Sequence, residues 1–100
     1  MSNLLINWFK ISENDLKDKG FETSVNNESN DLSTSINIDS NMFVGTICFW
    51  KPNKFEFQFN DCETGDVILL ESLELNNIEA IENHFKFIET KLNNHIGKHI

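Results

Sequence analysis

Between Phe43 and Phe59 the chain reads FVGTICFWKPNKFEFQF, and the facing of these residues decides the fold. Successive side chains of a β-strand point to opposite faces. Phe43, Gly45, Ile47 and Phe49 therefore share one side of a strand, and Val44, Thr46, Cys48 and Trp50 the other. Downstream, Phe55, Phe57 and Phe59 alternate with Glu56 and Gln58. Lys51-Pro52-Asn53-Lys54 between them has the composition of a turn, so the two runs form an antiparallel hairpin. Matching phenylalanines across it sets Phe49 opposite Phe55, Ile47 opposite Phe57 and Gly45 opposite Phe59. A slip of one residue would place Glu56 among the aromatic rings. Gly45 then leaves room for the ring of Phe59. The second face presents Val44 with Asn60, Thr46 with Gln58, Cys48 with Glu56 and Trp50 with Lys54.

Upstream of the hairpin, Leu32, Thr34, Ile36 and Ile38 alternate with Ser33, Ser35, Asn37 and Asp39, a strand with one wet face that turns at Asp39-Ser40-Asn41. Phe21, Thr23 and Val25 fit a short edge strand ahead of the polar loop Asn26 to Asp31. Downstream, Asp61-Cys62-Glu63-Thr64-Gly65-Asp66 reads as a turn and Val67 to Leu73 as a further strand. The facing of that strand stays open, because Val67, Ile68, Leu69 and Leu70 are all apolar.

Outside the strands the apolar spacing lengthens to that of helices. Leu4, Leu5, Trp8, Phe9 and Leu16 lie on one stripe of a helix from about Ser2 to Lys19, with Lys17 and Lys19 at its negative end and Gly20 after it. Ile78, Ile81, Phe85, Ile88, Leu92 and Ile96 form the stripe of a second helix from about Asn77 to Asn94. Asn76 is placed to cap it, with Glu79 at the third helical position, and Gly97 marks where it frays. The expected architecture is α+β: an N-terminal helix, a four- to five-stranded antiparallel sheet and a C-terminal helix. Both helices pack on one sheet face as two layers, in a single domain spanning residues 1–100.

Composition narrows the function. Sixteen acidic and eight basic residues give a net charge of −8. A general nucleic-acid binder needs the opposite sign, since its affinity comes from cations replacing counterions on phosphate. An anionic membrane surface is disfavoured likewise. The longest apolar run, Val67 to Leu70, is far short of the roughly 20 residues that span a bilayer, and no basic segment precedes a long apolar stretch at the N-terminus. Two cysteines do not make a secreted disulfide framework, which suits a reducing cytoplasm. The absence of arginine and tyrosine, with 15 asparagines and 11 isoleucines, reflects an AT-rich coding bias rather than chemistry.

No enzymatic constellation stands out, and no cofactor is expected. Cys48 reads as a small half-buried filler and Cys62 as an exposed thiol, poorly placed to bridge. His95 and His99 have a spacing that zinc sites use, but they fall at a fraying end without an obvious third ligand, and a solvated terminus explains them. His84 flanks the apolar stripe. The four glycines form no phosphate loop, no arginine is present to clamp an anion, and Asp61 with Glu63 reads as a solvated turn.

The placement of charge says more. Residues 1–20 carry three lysines and three acids, and residues 76–100 do the same. The span 21–75 holds Lys51 and Lys54 against Glu22, Glu28, Asp31, Asp39, Glu56, Asp61, Glu63, Asp66, Glu71 and Glu74, and so carries the entire −8. Such an excess can serve solubility alone, or it can form an acidic surface that steers and matches a basic partner. Trp50, facing outward beside Lys54, reads either as an interface anchor or as a ring packed under a loop at the end of the sheet.

Val44 to Trp50, the short turn, the alternation Phe55 to Phe59, Asp61 to Gly65 with its Glu-Thr-Gly, a further strand and a terminal amphipathic helix together resemble the TriTu-type immunity proteins of contact-dependent growth inhibition systems. The resemblance covers about Trp8 to Leu92. It implies a non-enzymatic cytoplasmic protein, monomeric and bound one-to-one to the C-terminal toxin domain of a delivered effector, whose active site it blocks. The toxins of this group resemble tRNA-cleaving nucleases that work with elongation factor Tu, which would join a ternary complex through the toxin. The family supplies no catalytic motif to carry over. Contact residues therefore come from facing: Trp50, Glu56 and Gln58 on the hairpin, Asn37 and Asp39 on the preceding strand, and Glu71 beyond. The rival readings are an acidic effector-secretion chaperone, which would dimerise, and a small metal-dependent enzyme, which would hold zinc.

Overall fold

The computed structural model describes residues 3–26 and 33–98, with side chains as far as His95. Helix α1 (Leu4–Asp18) is followed by strands β1 (Glu22–Asn26), β2 (Ser33–Asp39), β3 (Phe43–Trp50), β4 (Lys54–Asp61) and β5 (Val67–Glu74), and by helix α2 (Ile78–Lys98). Leu32 and most of the expected loop before β2 lie outside the described residues, as does His99.

Both ends of α1 are set by local chemistry. Asn3 caps the start, its side-chain oxygen accepting from the Ile6 amide at 3.1 Å, while its Nδ2 donates to Thr34 Oγ1 at 2.7 Å. One side chain thus ends the helix and ties that end to β2. At the other end Gly20 adopts φ 91°. Its amide donates to the Lys17 carbonyl and that of Phe21 to the Leu16 carbonyl, both at 3.0 Å. These are the paired bonds of a Schellman motif, whose left-handed residue favours glycine.

The five strands form one antiparallel sheet in chain order, β1 to β5. Phe49 faces Phe55, Ile47 faces Phe57 and Gly45 faces Phe59, the register expected from the alternation. The short β1 pairs with β2, with Thr23 opposite Ile38 and Val25 opposite Ile36. The facing of β5 is fixed by a bulge: Phe59 pairs with Leu69 and Asn60 with Val67, so Ile68 is the extra residue. Leu69, Glu71 and Leu73 consequently point to the helix side, and Leu70, Ser72 and Glu74 to the other.

Both helices cover one sheet face, α1 contacting β1 and α2 contacting β5. Trp8, Leu16, Ile36, Ile47, Phe49, Phe55, Phe57, Phe59, Ile81, Phe85 and Ile88 are among the buried side chains between the layers. Each such large apolar group contributes about 1.5–3 kcal/mol relative to exposure. A buried indole also needs an acceptor. Trp8 Nε1 donates to Glu82 Oε2 at 2.9 Å, and Ser12 Oγ donates to the same oxygen at 3.3 Å, so one carboxylate joins α1 to α2.

Two details of α2 differ from the sequence expectation. The cap is Asn77, whose side-chain oxygen accepts from the Ala80 amide at 2.8 Å. Asn76 instead accepts from Asn53 Nδ2, beside a bond from the Leu75 amide to the Asn53 carbonyl at 3.0 Å. These contacts join the β3–β4 turn to the connection between β5 and α2. The helix also continues beyond Asn94, to Lys98.

Candidate partner-binding face

The sheet face away from the helices is a grid of cross-strand rows. Asp39, Val44, Asn60 and Val67 form the row at one end. Asn37, Thr46, Gln58 and Leu70 come next, then Ser35, Cys48, Glu56 and Ser72, and finally Ser33, Trp50, Lys54 and Glu74. Glu22, Ser24 and Asn26 extend three of these rows onto β1.

Five of the six residues singled out from sequence, Asn37, Asp39, Trp50, Glu56 and Gln58, lie on this face. Trp50 is 41% exposed at the end of the grid, opposite Lys54. Polar neighbours hold several of the others: Thr46 Oγ1 donates to Asn37 Oδ1 at 3.4 Å, Gln58 Nε2 to Asn60 Oδ1 at 3.3 Å and Ser72 Oγ to Glu56 Oε2 at 3.5 Å. Asp39 Oδ1 accepts from the Gly45 amide at 3.2 Å.

Glu71, the sixth, is on the opposite face. It points under α2, where His84 Nε2 lies 2.7 Å and Lys91 Nζ 3.9 Å from its carboxylate. His84 Nε2 is buried, and despite this close approach it makes no hydrogen bond of normal geometry. The His84 ring packs between Phe57 and Phe87, with centroids 4.9 and 5.7 Å away.

Asp61 also faces the helix side, opposite Phe43. Its Oδ2 meets His95 Nε2 at 2.8 Å, and its Oδ1 accepts from the Glu63 and Thr64 amides at 2.8 and 2.9 Å. The His95 bond, followed by those two amides, lowers the Asp61 carboxyl to a pKa of about 2. His95 is therefore engaged with the sheet, where the sequence suggested a solvated end. Among the described residues no three His, Cys, Asp or Glu side chains gather as a metal-binding set.

The acids read as one surface from sequence thus divide. Glu22, Asp39, Glu56 and Glu74 lie on the open face with Lys54, Glu63 and Asp66 lie in or beside the β4–β5 turn, and Asp61 and Glu71 turn toward α2. Glu28 and Asp31 are outside the described residues. Cys48 sits on the open face opposite Glu56. Burial, and then the Glu56 charge, push its thiol up from the ordinary value, which keeps it protonated and a poor nucleophile.

Two concavities lie beside Met42, which lines both. One, of about 550 Å³, is lined by Lys19, Phe21, Phe43 and Leu92 among others, and its neighbour, of about 390 Å³, by Asp61, Thr64 and His95. Neither of these two concavities is lined by residues of the sheet grid. Among the described residues no helix is long and apolar enough to cross a membrane.

No curated protein matches the sequence. Residues 3–89 match the family described as immunity protein TriTu. That span runs from the cap of α1 through the whole sheet and past the middle of α2, and the chain belongs to the TriTu immunity protein family.

Proposed function

We propose that the protein neutralises a cognate toxin nuclease by laying its open sheet face over the toxin's basic active-site surface. The toxin is the C-terminal domain of an effector delivered by contact-dependent growth inhibition, and it cleaves tRNA. A domain that grips tRNA must present cations to the phosphate backbone, and an acidic surface can compete for the same groove. The observation carrying this reading is the grid itself, where Asp39, Glu56 and Glu74 lie among Asn37, Gln58 and Asn60, with Trp50 exposed at the end. Charge supplies steering, amides supply hydrogen bonds and the indole supplies an anchor.

The protein acts by binding, without catalysis, as a monomer bound one-to-one, in the cytoplasm where tRNA is cut. Elongation factor Tu joins through the toxin. The direct test expresses the C-terminal domain of the effector encoded immediately upstream and measures its tRNA cleavage with and without this protein. Stoichiometric inhibition, relieved by the double variant Asp39→Lys and Glu56→Lys, is the expected result. Full inhibition by that variant at both low and high salt would overturn the role of the acidic face.

A further inference from the structure

The two outer strands of the sheet are unalike. β1 has five residues and exposes Glu22, Ser24 and Asn26. β5 has eight, and among the described residues one side of its backbone has no partner strand. Such edges are commonly blunted by lysine or proline, because an open row of amides and carbonyls recruits another strand. Val67–Glu74 contains neither; of the other devices that protect edges, it has a bulge at Ile68 and the inward-turned Glu71, which His84 and Lys91 meet. The bulge at Ile68 disturbs its first part and leaves Leu69 to Glu74 regular.

Apolar surface gathers at this edge. Of the seven large apolar side chains that stand exposed among the described residues, Val67, Leu70 and Phe87 border it. Val67 and Leu70 lie on the open side of β5. Phe87 reaches the edge from above: it is one turn along α2 from His84, which touches Glu71, and Lys91 Nζ lies 5.1 Å from its ring centroid and 3.9 Å from Glu71. A strand laid beside β5 would place alternate side chains under Phe87 and beside Leu70, Ser72 and Glu74.

We propose that Leu69–Glu74 is the pairing edge for a basic, extended segment of the toxin domain, which continues the sheet as a sixth strand. This deepens the immunity reading and rests on it. Charge selects the occupant. The acidic side chains of β5 are Glu71, already met by His84 and Lys91, and Glu74, with Glu56 on the adjoining strand, and a second copy of the chain would bring the same acids together with its own net charge of −8. A basic strand alternating apolar and lysine or arginine residues satisfies both sides: apolar groups under Phe87, cations beside Glu74 and Glu56.

Hydrogen exchange with the purified upstream-encoded toxin domain tests this. The outward-pointing amides of Leu70, Ser72 and Glu74, which alternate with those that donate to β4, should exchange at least about tenfold more slowly in the complex than in the protein by itself. Phe87→Glu, on the helix side and away from the open face, should raise the dissociation constant at least about tenfold with an unchanged thermal midpoint, whereas Phe87→Leu should retain binding. A complex that forms, is weakened by Glu56→Lys, and yet leaves these amides and the Phe87 variants unaffected overturns the edge and leaves the open-face reading intact. Slow exchange at Leu70, Ser72 and Glu74 in the isolated protein, with a dimer in sedimentation, assigns the edge to a second copy and also overturns it. Failure of the toxin domain to bind at all removes both readings.

Discussion

Gly45 lies directly beneath the ring of Phe59: the two are cross-strand partners, and a Cβ built at position 45 would overlap the Cε2 and Cδ2 of that ring and come within 2.8 Å of the Ile38 carbonyl. Phe59 is fully buried, with Leu69 opposite it on β5. Gly45→Ala should therefore destabilise by overpacking, by about 1–3 kcal/mol. Each kcal/mol corresponds to a fall of roughly 4–8 °C in thermal midpoint for a chain of this size. Thermal unfolding followed by circular dichroism checks it, and an unchanged midpoint would show that the ring does not occupy that space.

Glu82 accepts from both Trp8 and Ser12 across the helix pair. Glu82→Ala leaves a buried indole N–H without its acceptor, which costs about 1–3 kcal/mol. A lower denaturant midpoint, with altered Trp8 fluorescence, is the expected outcome.

Asp61 has its carboxyl lowered from 3.8 to about 2 in the folded protein, chiefly by the His95 bond. Because the folded value lies below the unfolded one, the stabilisation is fully present above about pH 4 and is lost as pH falls toward 2. Asp61→Asn should lower the thermal midpoint at neutral pH, and the gap to the parent protein should narrow through that window. A gap that stays constant down to pH 2 would contradict the arrangement.

Trp50 is exposed on the proposed contact face. As an interface anchor, its replacement by alanine should weaken toxin binding by about 2 kcal/mol or more, roughly thirtyfold in dissociation constant. Glu56→Lys should act differently, slowing association most at low salt. Stopped-flow association and equilibrium titration separate the two, and thermal midpoints near that of the parent protein would show that neither change acts through the fold.

The hairpin and its facing were legible because Phe55, Phe57 and Phe59 alternate with polar residues, and a slip of one residue would carry Glu56 into the core. β5 was not, since Val67, Ile68, Leu69 and Leu70 carry no alternation and a bulge at Ile68 shifts the parity. That shift sends Glu71 under α2 instead of onto the open face. The choice between Asn76 and Asn77 as cap was equally hidden, because adjacent asparagines offer the same chemistry and the contact from Asn53 decides between them. The pairing of Asp61 with His95 joins residues 34 apart in sequence, and no local pattern announces a contact of that kind.

The order of the strands has a kinetic consequence. Each strand pairs with its immediate neighbours in the chain, so the sheet can grow outward from the β3–β4 hairpin by closing short loops, and short loops close at small entropic cost. Only the docking of α1 against α2 must join the two ends. An immunity protein has to be present before a toxin arrives, and in this topology each strand from β2 onward meets a partner strand already synthesised ahead of it.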